Sequence, residues 1–404
     1  MKKISLFLFI VMAVLVPIRG NALALNPVES SVDDHSYLSF GRMGGAIVEG
    51  DCGKDDGLKT GWVIGQDENN AVILHTKNGG RKWVVQGKWA GYGGNDISAV
   101  DSQTAWAALG SKVSNSGMIL HTTNGGAKWT KQKLPKGMDA IKGIKGLTRD
   151  EAWAVSLMGT ILHTTDGGKV WSIVEHPDFV IKQVNRMDAI GYREVRTEDF
   201  SGRNKGMINA NVWIADEFGE EGGHLGMIHT LYNGEIWRQE YIPCAISNDC
   251  QVHMVSAYSL RVVWAAAWGD GSLYRTADGG ENWINVGNVG GANDIDDMCA
   301  YSADKVWLVQ FQSSLEGYGI IYNARLESGE IRVDQFIPDT NYRYEGLTCI
   351  DDQRALVVGY TDSPDLLPKG IILATNDGGQ SWVRQRIPLD DAKFWKVSFV
   401  GARR

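Results

Sequence analysis

Four histidines recur in one local context, each followed by a threonine and a turn: His75, His121, His163 and His229. Neutral imidazoles suit zinc, which holds its ligands at about 2 Å. These four, however, occupy one position in successive copies of a longer repeat, and equivalent positions in separate structural units lie too far apart to share an ion. HExxH, paired Cys-x-x-Cys and calcium-loop spacings do not occur in the chain, so neither a metal site nor a cofactor is expected. Acidic residues are the second candidate chemistry. Asp294, Asp296, Asp297, Asp351 and Asp352 could supply the two carboxylates of glycoside hydrolysis, which stand about 5 to 10 Å apart; on loops, such residues are ordinarily just solvated. A GxSxG nucleophile motif is absent, and no catalytic residue is assigned.

The chain contains five cysteines. Cys244 and Cys250 flank the short AISND loop and are the best disulfide pair. Cys299 and Cys349 fall on equivalent strands one register position apart. They should therefore face opposite sides of those strands and are read as buried thiols, with Cys52 left over.

The elements that must position these groups come from a repeat. ILHTKNGGRKW ends at Trp83, ILHTTNGGAKW at Trp129 and ILHTTDGGKVW at Trp171; looser copies end at Trp237, Trp283 and Trp382. Upstream of each lies an apolar run anchored at Trp62, Trp106, Trp153, Trp213, Trp264, Trp307 and Ala355. Seven units result, and 12 of the 15 tryptophans occupy the two repeated positions. Repeats of this length signal a propeller or a solenoid. A sixth, degenerate copy ends near residue 331, with Leu326 and Ile331 where the others have Asp or Asn and Trp.

Runs of four to six Val, Ile, Trp and Tyr residues between Gly, Asn and Asp turns are strand signals, and the NGG and DGG triplets suit tight hairpins. No sustained helical period is present. Each unit therefore supplies four short antiparallel strands. Nine residues before Trp106, Trp153, Trp264, Trp307 and Leu356 stand Ile97, Ile144, Val255, Met298 and Leu347, which marks the first strand. Small residues two places on (Ala99, Gly146, Ala257, Ala300, Cys349) suit strands that converge on an axis. The expected fold is all-β, a seven-bladed β-propeller of four-stranded antiparallel blades over residues 60–404. The first unit has no clear first strand, whereas FWKVSFVG from Phe394 to Gly401 has that pattern and nothing after it. The C-terminal strand should close the first blade and remove the sheet edges a broken ring would expose.

The T-x-[D/N]-x-G-x-x-W unit resembles the BNR or Asp-box repeat, and AWAVxxxGTILHTTDGGKVW closely resembles propellers of the photosystem II stability and assembly factor type. The resemblance covers nearly all of residues 60–400. It implies that the carboxylate or amide of Asn78, Asn124, Asp166, Asp278 and Asp377 accepts backbone N–H bonds in the turn between the third and fourth strands. It also implies that Trp83, Trp129, Trp171, Trp237, Trp283 and Trp382 pack between neighbouring sheets; Tyr232 departs from the pattern. The repeat occurs in sialidases, in cellulose- and xyloglucan-active hydrolases, in sorting receptors and in non-catalytic assembly factors, so it fixes fold and leaves function open. The FRIP string of sialidases is missing.

A binding face is the remaining functional expectation. Two residues before the first-strand register come Asn95, Lys142, His253, Asp296 and Glu345, with Trp395 in the C-terminal copy; these should ring the channel mouth. Long loops between second and third strands in units four, six and seven add Glu217, Glu220, Glu221, Glu316, Tyr318, Asp362 and Asp365, an acidic rim suited to a basic partner or a polypeptide. An insertion of mixed charge near Gly191 to Asn211 falls on the opposite face.

Residues 1–24 read as a signal peptide: Lys2 and Lys3, an apolar run from Ile4 to Ile18, and Ala22-Leu23-Ala24 before the cut. Residues 25–59 then lead into the first blade. Export would place the protein in the periplasm or outside the cell. Cleavage removes Lys2, Lys3 and Arg19, leaving 37 of the 40 basic residues against 48 acidic ones, a net charge of about −11. Such a chain is poorly suited to nucleic acid, and after cleavage no stretch approaches the roughly 18 to 20 apolar residues of a membrane helix. With 49 Gly and 15 Trp it is neither disordered nor collagen-like. The expectation is a non-catalytic interaction or assembly factor with a protein partner; the alternative is a carbohydrate-active or carbohydrate-binding propeller whose partner is a polysaccharide.

Overall fold

The computed structural model describes residues 46–49, 59–177, 183–193, 208–216, 227–240, 242, 252–269, 271–290, 295–312, 317–361, 369–389 and 391–401. These form seven sheets arranged as a closed ring. Blade one is built from the C-terminal strand Ala392–Phe399 on the inside, followed outward by Gly61–Asp67, Asn70–Thr76 and Val84–Ala90. The chain end therefore closes the ring, as its sequence pattern requires. The innermost strands of blades two to seven are Tyr92–Ala99, Ile141–Gly146, Val184–Arg193, Val252–Ala257, Ile295–Ser302 and Tyr342–Cys349. One strand has no counterpart in the repeat: Ala46–Glu49 pairs in parallel with Ser381–Arg384 and gives blade seven a fifth strand.

Each second strand is buried on both faces because a neighbouring sheet covers each side, which is why it reads as a continuous apolar run. Trp62, Trp106, Trp153, Trp213, Trp264 and Trp307 have no exposed surface. In the first four blades the repeat histidine stacks on that tryptophan, with ring centroids at 4.5 Å for Trp62–His75, 3.5 Å for Trp106–His121, 4.1 Å for Trp153–His163 and 3.5 Å for Trp213–His229. Each imidazole is thus spent within its own blade. Arg275 replaces it in blade five, its guanidinium 6.0 Å from the Trp264 ring.

The Asp-box turns are built as the resemblance implies. Asn78, Asn124, Asp166, Asp278 and Asp377 each accept a backbone N–H four residues on, at 2.9 to 3.0 Å, and bond the hydroxyl of the threonine two residues before. The repeat tryptophans then pack edge-on against the neighbouring blade, as in Trp106–Trp171 at 5.7 Å and Trp307–Trp382 at 6.0 Å. In the fourth unit a short 3₁₀ turn at Tyr232–Gly234 replaces the Asp-box, and Asn233 Oδ1 accepts the Ala210 N–H instead. In the sixth, Leu326 and Ile331 pair across a hairpin, and Phe336 fills the inter-blade position beside Trp307 and Trp382.

The second glycine of each triplet seats a residue of the preceding blade. A Cβ on Gly126 (φ +80) would lie 1.8 Å from Gln86 Oε1, and Gly80, Gly168 and Gly280 face Gln385, Gln132 and Glu240 in the same way. Gln86 also accepts the indole N–H groups of Trp62 (2.9 Å) and Trp129 (3.1 Å), tying blades one and two.

Cys299 and Cys349 are not thiols; they form a disulfide between the innermost strands of blades six and seven, Cα atoms 6.0 Å apart. The two side chains do face opposite sides of their own strands. Adjacent blades stack face to face, so opposite sides of equivalent strands look at each other across the junction. Cys52, Cys244 and Cys250, including the expected Cys244–Cys250 pair, lie outside the described residues. The insertion is shorter than expected, because Val184–Arg193 and Ile208–Asp216 continue as a paired hairpin up to Arg193 and Ile208.

Candidate functional site at the mouth of the ring

Every innermost strand carries a β-bulge at the same place. In pairing with the second strand, the register skips Trp395 in blade one, Asn95 in blade two, Lys142 in blade three and Asn185 in blade four. It skips His253 in blade five, Asp296 in blade six and Glu345 in blade seven. A bulged residue leaves the ladder and its side chain is re-aimed. All seven line one open cavity of about 730 Å³ at the axis. The six mouth residues expected from residue counting are thereby brought together. Asn185 escaped the count because the hairpin insertion separates its strand from Trp213.

A residue one or three places after the bulge clasps the innermost strand of a neighbouring blade. Asp96 Oδ2 accepts the Ile144 N–H, Asp188 Oδ2 that of Ala257, and Asp297 Oδ2 that of Leu347, each at 2.9 Å. Ser398 and Ser256 do the same for Ala99 and Ala300. Below the mouth these acids meet three cations: Arg186 and Lys396 both contact Asp297, at 3.0 and 3.1 Å, and Lys145 contacts Asp188 at 2.5 Å. Burial first, and Arg186 second, push the Lys396 ammonium below its usual range. This charged layer leaves a void of only about 30 Å³, so the mouth is the roomy part of the axis.

The mouth is divided by charge. Lys142 and Lys112, from blades three and two, line one side; Asp296 and Glu345, from blades six and seven, line the other. Arg343 bridges the two acids, with Nη2 3.0 Å from Asp296 and Nε 2.6 Å from Glu345. Tyr360 donates its hydroxyl to Glu345 at 3.2 Å and packs edge-on against Trp395 at 5.2 Å. Asp296 is 8 % exposed, and its Oδ2 has no hydrogen-bond partner among the described residues. Burial, then the charge of Glu345, raises its pKa to about 7. Among the described residues, five cations and two carboxylates line the cavity.

Other expected positions fall elsewhere. Tyr318 begins the third strand of blade six and packs against the core between blades five and six rather than in the mouth. Glu217, Glu220, Glu221, Asp294, Glu316, Asp362 and Asp365 lie outside the described residues. Asp351 holds a turn through the Gln353 and Arg354 N–H groups and an ion pair with Arg354. Arg186, Arg343, Tyr360 and Lys396 went unread because no repeat position marks them.

A family model described as photosynthesis system II assembly factor YCF48 matches residues 96–195. The chain is a BNR-repeat propeller resembling these assembly factors. A solved structure of YCF48 bound to a D1 peptide superposes with a TM-score of 0.51 at 16 % identity, over 84 % of this chain and 99 % of that one. YCF48 from Cyanidioschyzon merolae is similar at TM-score 0.46 and 15 % identity, over 84 % and 97 %. The Niastella koreensis GH74 enzyme is similar at TM-score 0.48 and 12 % identity, over 84 % of this chain and 59 % of that one. No curated protein matches the sequence significantly.

Proposed function

We propose that this propeller is an exported, non-catalytic interaction factor that holds a segment of a partner protein at the mouth of its ring during assembly or maturation of an extracytoplasmic or membrane complex. The observation that carries the reading is the ring of seven bulges. One extra residue per blade, at equivalent positions and of six residue types, makes a shaped polar cavity on a rigid scaffold. Resemblance to YCF48 supports a protein-binding role, and one YCF48 structure holds a peptide of the D1 protein. Export is supported by the N-terminal sequence and by the Cys299–Cys349 disulfide, a bond that persists in oxidising compartments. Among the described residues no helix is long and apolar enough to cross a membrane.

A second reading rests on Asp296 and Glu345 beside Tyr360 and Trp395, a carboxylate pair with aromatic neighbours as in carbohydrate sites. Both acids are engaged by Arg343, which favours the first reading. Affinity capture from the native cell envelope separates them: a stoichiometric protein partner is expected. Retention on a polysaccharide column with no protein captured reverses the ranking.

A further inference from the structure

The assembly-factor reading does not say what chemistry the mouth recognises; the following rests on that reading and deepens it. We infer that the sector of the mouth between blades six and one is a seat for a basic side chain, lysine or arginine, of a bound polypeptide segment, with Asp296 Oδ2 as its acceptor. When Asp296 is ionised, Asp296, Glu345 and Arg343 form a triad with one negative charge in excess. Arg343 meets Asp296 through Oδ1, so Oδ2, buried and without a hydrogen-bond partner among the described residues, is the acceptor left for a cation that enters the cavity Asp296 lines. One incoming cation neutralises the excess and satisfies that oxygen; a buried acceptor without a donor otherwise costs about 1–3 kcal/mol. Trp395 stands in the same sector, against Tyr360, and offers an aromatic wall to an alkyl stem or a guanidinium.

A polypeptide suits the site better than a small amine. The cavity, about 730 Å³, is far larger than one side chain. The loops on the same face carry exposed apolar residues, Val113 (90 %), Met158 (58 %) and Trp268 (51 %), in blades two, three and five. These would contact residues flanking the seated one. Lys112 and Lys142 across the mouth direct the cation away from their own side and would face an acidic neighbour in the segment.

Binding at this seat is linked to a proton. Glu345 and Arg343 from blade seven, Tyr360 behind them, Lys396 from blade one and His253 from blade five surround Asp296. Below about pH 7 the empty site holds a proton on Asp296 that the ligand cation must expel, so affinity should rise about tenfold from pH 6 to pH 8.

The test uses the full mature chain and three capped heptapeptides of leucine, serine and glycine that differ only in a central Lys, Glu or Ser, titrated by calorimetry. The Lys peptide should bind at least tenfold more tightly than the Ser peptide. Asp296→Asn should abolish both that preference and its pH dependence while the variant melts as a folded protein; Glu345→Gln should weaken the preference through the triad. Preference for the Glu peptide, no measurable binding of the Lys peptide at millimolar concentration, or an Asp296→Asn variant that keeps the preference each overturns the proposal. If Asp296→Asn still captures a protein partner as wild type does, the seat is wrong and the interaction reading stands; if wild type captures none, that reading fails instead.

Discussion

Histidine stacked on tryptophan is the residue-scale signature of this ring. His75 and His121 are buried against Trp62 and Trp106, and burial lowers their pKa values to about 4; the same cause lowers His229. The unfolded chain takes up a proton near pH 6.5 that these imidazoles refuse. Their contribution is therefore fully present above pH 6.5 and falls as pH drops below it, by on the order of 1–3 kcal/mol for each of His75 and His121 by pH 4. Asp296 runs the other way, since its raised pKa makes stability fall as pH climbs from about 4 to 7. Three histidines against one aspartate leave a net loss on acidification. Denaturant unfolding between pH 7 and pH 4 should show it, and His121→Phe, which keeps a ring against Trp106, should have a shallower pH dependence than wild type. An identical slope would mean that His121 is not held neutral. Some of this scale was readable from residue types alone. A Gln or Glu three residues after the repeat tryptophan (Gln86, Gln132, Glu240, Gln385) is a visible pattern, and it went unread because its partner is a glycine one blade away.

For the strands, closure is the element that matters most. Ala392–Phe399 lies between the channel and Gly61–Asp67 and touches the innermost strands of blades two and seven. It supplies Phe394 and Phe399, both fully buried, together with Trp395 and Lys396 of the site. Deleting residues 392–404 should lower the melting temperature of the whole ring in one cooperative transition, with no surviving six-bladed species. A truncated chain that melts like the full one would show that blade one needs no inner strand. The bulges are the other decisive element. The apolar period places the innermost strands, but a bulge appears in the pairing with a neighbour and not in the strand's own alternation. Residue counting reached six of the seven positions only because the repeat copies them in register.

Taken as a whole, the described residues form a ring whose seven junctions are each closed by inner-strand contacts, and among them the junction of blades six and seven is also covalent. Cys299–Cys349 encloses a sequence separation of 50 residues, which the chain-entropy model values at about 4 kcal/mol. Peptide mapping of the unreduced protein should recover these two cysteines joined, and Cys299→Ala with Cys349→Ala should lower stability by about 2–4 kcal/mol without changing the fold. Recovery of both as alkylated thiols would overturn the assignment.

The sequence alone determined the number of blades, the four-strand unit, five Asp-box turns and the closing role of the C-terminal strand, because a periodic apolar pattern recurs in every copy and the turn chemistry in five of them. Tertiary structure alone decided the disulfide, the peg-and-glycine contacts between blades, the fifth strand on blade seven and the charge-divided mouth. Those depend on which face of one sheet meets which face of the next, and on cations such as Arg343 and Lys396 that no repeat position announces. The chain's formal net charge of −8 says nothing about where charge sits; among the described residues, only the ring brings five cations around the same cavity as Asp296 and Glu345.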